Sequence, residues 1–137
     1  MEEGFIDLEH GRIWYRRSGG GSALPVLFLH GGPGAASSSL SHLRSASPGI
    51  VVIVYDQLGC GRSDKPDNPS LWTLDYFTSE VDQMRNALGL NECHLLGHSS
   101  GGWLSIDYLC GARKEFPRSS FIKRLRTLRP LLKTAST

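Results

Sequence analysis

Three short runs constrain the fold of this chain more than any other feature. They are Val-Leu-Phe-Leu at 26–29, Ile-Val-Val-Ile-Val-Tyr at 50–55 and Cys-His-Leu-Leu at 93–96. None of them alternates between apolar and polar residues, as a strand with one solvated face would. Continuous apolar runs of this length are typical of strands that are buried on both faces of a parallel sheet. The runs therefore predict such a sheet.

The segments around these runs predict the remaining elements. In chain order they are a hairpin with strands at 5–8 and 13–15, a weak helix at 36–45, and helices at 73–88 and 102–109. In the helix at 73–88, apolar residues recur at steps of three and four, Thr73 is placed to cap the start, and Gly89 is placed to end it. Strands that alternate with helices at these lengths predict an α/β fold with right-handed crossovers.

Length and composition are those of a single globular domain. The chain has 137 residues, of which 39% are apolar and 20% are charged. Its three cysteines form no C-x-x-C pair, so they predict neither a disulfide framework nor a metal or redox site. The acidic N-terminus has no apolar region behind it, and no apolar run approaches the roughly 20 residues of a membrane span. We therefore expect a cytoplasmic protein.

The charge of the chain is distributed unevenly. Residues 1–110 hold 7 Lys or Arg against 12 Asp or Glu, whereas residues 111–137 hold 8 against 1. Apolar residues at near-helical spacing separate the basic ones of this tail, as in a helix that binds membranes or acidic partners, but Pro130 interrupts the pattern. We favour an out-of-frame or alternatively spliced origin for the tail over membrane binding. No nucleic-acid partner is expected, and the oligomeric state stays open.

The run Gly97-His98-Ser99-Ser100-Gly101 lies between the third predicted strand and the last predicted helix. G-x-S-x-G in that context is typical of a nucleophilic serine on a sharp strand-to-helix turn, where larger flanking residues would collide with neighbouring backbone. Such a turn exposes the serine Oγ at the carboxyl end of the sheet. It also directs the backbone N–H of the next residue at a developing oxyanion. Ser99 is the predicted nucleophile, and Ser100 is the predicted donor.

A second loop, His30-Gly31-Gly32-Pro33-Gly34, directly follows the strand at 26–29. Successive glycines let the backbone approach a substrate carbonyl closely, and the proline stiffens the loop. A loop of this type supplies the other N–H of an oxyanion hole. The two motifs together predict acyl transfer through a serine.

A third segment, Asp56-Gln57-Leu58-Gly59-Cys60-Gly61-Arg62-Ser63-Asp64, follows the strand that ends at Tyr55. With HGGPG before it and GHSSGGW after it, the chain from about residue 5 to 110 resembles the proline iminopeptidase branch of the α/β-hydrolase serine peptidases. The fold class implied is the N-terminal part of an α/β-hydrolase fold, truncated after the helix that follows Ser99. We interpret Asp56 and Arg62 as residues that shape their own loop.

The resemblance implies roles for matching residues. Ser99 would be the nucleophile, the backbone N–H groups of Gly32 and Ser100 would form the oxyanion hole, and Gly31, Gly32 and Pro33 would lie beside the substrate. Many relatives have Trp where this chain has Ser100, so the pocket wall is expected to differ. The implied reaction is hydrolysis of a small peptide or amino-acid amide at its amino-terminal residue, through an acyl-enzyme and with no cofactor or metal.

The general base is the part that the sequence does not provide. In this fold the triad order is Ser, Asp or Glu, then His, and no histidine follows Ser99. We therefore expect residues 1–110 to be a partial hydrolase domain that is inactive in this form, followed by a basic tail at 111–137. A noncatalytic truncated isoform or a binding module is the alternative. Within the hydrolases, an amino-acid amidase, an esterase or a lactonase stays open, because the substrate-selecting cap of the relatives has no counterpart here.

Overall fold

The computed structural model describes residues 1–31 and 49–112, which form one five-stranded sheet with helices. The strands are β1 (Glu2–Leu8), β2 (Gly11–Ser18), β3 (Val26–Leu29), β4 (Val52–Tyr55) and β5 (His94–Gly97), and the helices are α1 (Leu74–Ala87), α2 (Ser100–Ala112) and a 3₁₀ turn (Pro69–Leu71). Their order across the sheet is β1-β2-β4-β3-β5. The predicted helix at 36–45 and residues 113–137 of the predicted tail lie outside the described residues, whereas residues 111 and 112 end α2.

The three predicted buried strands form the parallel part of the sheet. β3 pairs in parallel with β4 on one side and with β5 on the other, and all four of its residues are buried. Val26 stands opposite both Val52 and His94, so β4 and β5 begin level with the start of β3. This pairing explains why β4 starts two residues later than the apolar run at 50–55, and why β5 starts one residue later than predicted.

The predicted hairpin is confirmed and extends further along both strands. β1 and β2 pair antiparallel from Glu2 opposite Arg17 to Leu8 opposite Gly11, so the turn is shorter than the predicted 9–12. A salt bridge of 2.7 Å between the Arg16 Nε and a carboxylate oxygen of Glu3 joins the strands beyond the apolar residues. β2 then pairs antiparallel with β4, which attaches the hairpin to the parallel strands.

Helix α1 begins and ends close to the predicted positions. The hydroxyl of Thr73 accepts a hydrogen bond from the backbone N–H of Tyr76 at 3.1 Å, which satisfies one free donor of the first turn. Gly89 follows the helix with φ +67°, a conformation that glycine adopts without strain. Helix α2 is longer than the predicted 102–109, because it begins inside the G-x-S-x-G motif itself.

Helices α1 and α2 cover one face of the sheet. The larger core combines strand residues of that face with the inner faces of both helices; its buried members include Ile13, Leu27, Leu29, Ile53, Tyr55, Leu95, Val81, Met84, Leu104 and Tyr108. A smaller cluster of Trp14, Phe28 and Val54 lies on the opposite face. Within residues 1–31 and 49–112, every helix is too short or too polar to span a bilayer.

Candidate active site

Ser99 lies on the turn that joins β5 to α2, where the G-x-S-x-G motif predicted it. β5 ends at Gly97 and α2 begins at Ser100, so two residues make the whole connection. Ser99 has φ +56°, and it is the one non-glycine residue with positive φ among the described residues. A side chain in this left-handed conformation is strained by about 1 to 3 kcal/mol and persists only where the surroundings enforce it. Its side chain is exposed to solvent.

Backbone packing on both sides of the turn enforces this conformation. A Cβ on Gly97 would lie 2.2 Å from the carbonyl oxygen of Gly101, and a Cβ on Gly101 would lie 2.1 Å from the carbonyl oxygen of Leu29. Both distances are far below van der Waals contact, so no side chain fits at either glycine. The backbone N–H of His98 also donates to the carbonyl of Leu29 at 3.1 Å, which ties the turn to the end of β3.

The start of α2 places the backbone N–H of Ser100 beside Ser99. Ser100 is the first residue of the helix, and the next two N–H groups, of Gly101 and Gly102, donate to the carbonyls of His98 and Ser99 at 2.9 Å each. The helix dipole adds partial positive charge at the same end. Together they favour an anion near the Ser99 hydroxyl, as an oxyanion hole requires.

The glycine loop after β3 approaches the same turn. A Cβ on Gly31 would lie 2.8 Å from the carbonyl oxygen of His98 and 3.0 Å from Cβ of Ser99, so the two loops are in backbone contact. Gly32 and Pro33 lie outside the described residues. The roles assigned to Gly31, Gly32, Pro33, Ser99 and Ser100 stay predictions, while the structure brings Gly31, Ser99 and Ser100 together.

The ring of His30 fixes the beginning of that loop. His30 has no exposed surface, and its Nε2 accepts a hydrogen bond from the backbone N–H of Gln57 at 2.9 Å. Because Nε2 accepts, the proton of the neutral ring is on Nδ1, which donates to the carbonyl of Gly31 at 3.1 Å. Burial lowers the pKa of His30 and so favours this neutral form. The side chain of Gln57 also donates to the His30 carbonyl at 3.0 Å.

The other described histidines lie in different surroundings. His10 is in the turn between β1 and β2, where its ring contacts Tyr76. His94 is buried in β5, and His98 is the exposed neighbour of Ser99 on the strained turn. In the part of the chain that the structure describes, no imidazole accepts a hydrogen bond from the Ser99 hydroxyl. A general base for Ser99 is therefore not found among these residues.

The loop after β4 is held by its own backbone and by Trp14. The backbone N–H of Arg62 donates to the Asp56 carboxylate at 2.9 Å. The Ser63 hydroxyl accepts a hydrogen bond from the backbone N–H of Trp14 at 2.9 Å and donates to the backbone carbonyl of Asp56. The Arg62 guanidinium lies over the Trp14 ring, 4.3 Å from its centroid. Asp56 and Arg62 shape the loop, as the sequence interpretation predicted.

Sequence reasoning missed the buried carboxyl group of Glu80. Glu80 lies on α1 with no exposed surface and faces the loop after β4. Burial raises the pKa of Glu80 to about 7, although hydrogen bonds from Tyr76 and Leu58 act in the opposite direction. Its position three residues after Phe77 and four before Met84 is the signal that it lies on the apolar face of the helix.

The described residues hold no candidate metal centre. Among 1–31 and 49–112, no group of three or more His, Cys, Asp or Glu side chains is placed to bind a metal ion. What the arrangement offers is an exposed hydroxyl on a strained turn, the N-terminus of a helix beside it and a glycine loop in contact. That arrangement is typical of the nucleophile region in serine hydrolases of the α/β type.

Comparison with known proteins gives the same class. Residues 25–126 match the family described as alpha/beta hydrolase fold, and the chain belongs to that family. Within it, the chain is proline iminopeptidase-like. It is 49% identical to the proline iminopeptidase of Heyndrickxia coagulans over 109 residues. The matched segment is 77% of this chain and 37% of the relative.

Solved structures support the assignment of the fold. The proline iminopeptidase of Mycobacterium smegmatis superposes with a TM-score of 0.74 at 31% identity, over 79% of this chain and 39% of that one. An epoxide hydrolase from Vigna radiata superposes with a TM-score of 0.74 at 21% identity, over 84% of this chain and 37% of that one, and shows the fold alone. The chain spans about two fifths of the length of the curated relatives it matches.

Proposed function

We propose that this chain carries the nucleophile and the oxyanion-binding residues of a serine hydrolase of the proline iminopeptidase type. The observation that carries the proposal is the exposed Ser99 at φ +56°, on a two-residue turn against the start of α2. Ser99 Oγ attacks the carbonyl of a substrate's amino-terminal residue, and the amine leaves as the acyl-enzyme forms. The N–H groups of Ser100 and Gly32 hold the oxyanion, and water then releases the acyl group.

The substrate class that we propose is a small peptide or amino-acid amide with a free amino-terminal residue. The support for it is the similarity to the proline iminopeptidases, of which this chain matches about two fifths. No cofactor or metal takes part in the proposed reaction. A cytoplasmic location is proposed on the same similarity.

Activation of Ser99 needs a base from outside the described residues. The ring nitrogens of His30 are both engaged, and among the described residues no hydrogen bond joins the His98 ring to the Ser99 hydroxyl. Loss of the base lowers the rate of a serine hydrolase by on the order of 10⁴- to 10⁶-fold. We therefore propose that Ser99, without a base supplied from outside the described residues, hydrolyses substrate very slowly.

A chimera tests the proposal without asking this chain to supply a base. Residues 1–112 replace the matching segment of the Heyndrickxia coagulans enzyme, and hydrolysis of proline p-nitroanilide is measured. We expect activity within about tenfold of the parent, and loss of on the order of 10⁴-fold or more in Ser99→Ala. A chimera that unfolds cooperatively and has no activity would contradict the proposal. Preference for an ester or a lactone over the anilide would favour those hydrolase classes.

A noncatalytic role is the second candidate, and one observation favours it. In the described part of the chain, Ser99 has no imidazole partner. Labelling of the 137-residue chain with a fluorophosphonate probe distinguishes the two. Labelling that Ser99→Ala abolishes indicates an activated serine, whereas folded protein that stays unlabelled favours the binding role.

A further inference from the structure

The carboxyl group of Glu80 is buried beneath the loop that follows β4. It has no exposed surface, and its two oxygens lie 3.4 and 3.3 Å from the backbone nitrogen of Leu58. One of them also accepts a hydrogen bond from the Tyr76 hydroxyl at 2.8 Å. Burying an ionisable group costs free energy that an apolar side chain of the same size would avoid. A role for the Glu80 carboxyl group is therefore expected at its contact with the Leu58 N–H.

Leu58 is adjacent to Gln57, and Gln57 holds His30 at two points. The backbone N–H of Gln57 donates to Nε2 of His30 at 2.9 Å, and its side-chain amide donates to the His30 carbonyl at 3.0 Å. His30 then donates from Nδ1 to the carbonyl of Gly31. A continuous series of hydrogen bonds and peptide links thus runs from α1, through the loop after β4, to the loop after β3.

The series ends against the nucleophile. Gly31 is packed so closely on the turn after β5 that an added Cβ would lie 3.0 Å from Cβ of Ser99. A Cβ on Gly101 would likewise lie only 2.7 Å from the carbonyl oxygen of His30. Movement of the His30 and Gly31 backbone therefore changes the space beside Ser99.

We propose that Glu80 is a positioning residue, which holds the Leu58 amide and thereby fixes Gly31 against Ser99 through Gln57 and His30. An ionised carboxylate accepts hydrogen bonds more strongly than a protonated one, so protonation of Glu80 loosens the Leu58 contact and the series behind it. The consequence for catalysis rests on the proposed function. The structural coupling does not, because it concerns only the positions of these residues.

Several titratable groups lie near Glu80 or beside its neighbours, and their effects can be tested apart from it. Tyr76 on α1 donates to Glu80, and Tyr55 on β4 lies near it. Tyr108 on α2 lies near Tyr55, and Glu9 and His10, in the turn between β1 and β2, lie near Tyr76. Burial raises the pKa values of Tyr55, Tyr76 and Tyr108 above the ordinary value for tyrosine, so these hydroxyls stay neutral at pH 7. His10→Gln removes the imidazole that contacts Tyr76 and keeps Glu80 unchanged, so it is the matched control.

The test is a pH titration of the full 137-residue chain by ¹⁵N NMR, between about pH 6 and pH 8. In the wild type, the Leu58 amide, the His30 Nε2 and the Gly31 amide are expected to shift with one common midpoint of about 7. Glu80→Gln keeps the size of the side chain and is expected to abolish this transition at all three positions. His10→Gln is expected to retain it.

Tyr76→Phe is the second variant, and it keeps the carboxyl group. It removes a donor to the ionised carboxylate, so the common midpoint is expected to move upward. If Glu80→Gln does not fold, an unchanged midpoint in Tyr76→Phe overturns the proposal. The proposal is also overturned if the Leu58 amide shifts with pH while His30 Nε2 and the Gly31 amide do not. It is likewise overturned if His30 still shows the transition in folded Glu80→Gln. The measurement requires no hydrolysis, so an inert Ser99 would refute the proposed function and leave this result standing.

Discussion

Gly101 and Gly102 are neighbours in the first turn of α2, and the structure predicts opposite effects when each is replaced by Ala. In a helix, Ala is favoured over Gly by about 1 kcal/mol, because glycine loses more conformational freedom on folding. Helix propensity alone therefore predicts that Gly101→Ala and Gly102→Ala both stabilise the protein. The surroundings of the added methyl group decide otherwise for one of them.

A Cβ on Gly101 would lie 2.1 Å from the carbonyl oxygen of Leu29 and 2.7 Å from that of His30. Both oxygens belong to backbone at the end of β3 or just after it, and this backbone cannot move away as a flexible side chain would. Overpacking of this kind costs about 1 to 3 kcal/mol or more, which exceeds the gain in helix propensity. A Cβ on Gly102 would meet its nearest neighbour, the carbonyl oxygen of Gly97, at 3.8 Å, which is ordinary contact.

We therefore expect Gly101→Ala to lower the free energy of unfolding by about 2 kcal/mol and Gly102→Ala to raise it by up to about 1 kcal/mol. Urea unfolding followed by tryptophan fluorescence measures both, and a slope of about 1 to 3 kcal/mol per molar separates their midpoints by roughly 1 to 3 M. Gly102→Ala serves as the matched control for helix propensity. If Gly101→Ala unfolds at the same urea concentration as Gly102→Ala, the close packing of the turn on β3 is wrong.

Two further predictions concern α1. The pKa of Glu80 rises from an ordinary 4.5 to about 7 on folding, so the folded state binds the extra proton and stability falls as pH rises between these values. The loss of stability is about 3 kcal/mol, at about 1.4 kcal/mol per pH unit. Urea unfolding at a series of pH values should show this loss in the wild type, and Glu80→Gln should lack most of it. The Thr73 hydroxyl caps the helix by accepting the Tyr76 N–H, so Thr73→Ala should cost about 1 kcal/mol, whereas Thr73→Ser should cost little. Equal unfolding midpoints for Thr73→Ala and the wild type would show that the cap contributes nothing.

The parts of the fold that local patterns determine could be predicted from the sequence. The hairpin, the three buried strands and α1 each carry a signal within a few consecutive residues, and Ser99 lies on the predicted turn. The predicted start of α2 at residue 102 is two residues late, because the motif up to Gly101 indicates a turn and not a helix. Contact with β3, and not propensity, sets where that helix begins.

The contacts that join separate loops could not be predicted in the same way. Gln57 binds His30 across 27 positions of the chain, and Leu58 meets Glu80 across 22. Neither pair has a local signal, since the contact exists only because β3 and β4 are adjacent and α1 packs beneath them. A charged residue on the apolar face of α1 was the one hint that Glu80 is buried.

The way in which the site is built separates the placing of Ser99 from its activation. Most of the close contacts described around the turn come from the ends of β3 and β5, from Gly31 and from the first residues of α2, and most of them involve backbone atoms. Backbone packing of this kind fixes the position of a hydroxyl, but it does not lower the barrier to removing its proton. The two proposed oxyanion donors and the proposed general base can therefore be lost or restored independently, which is why we expect the chimera to recover hydrolysis through Ser99 without a base from the described histidines of this chain.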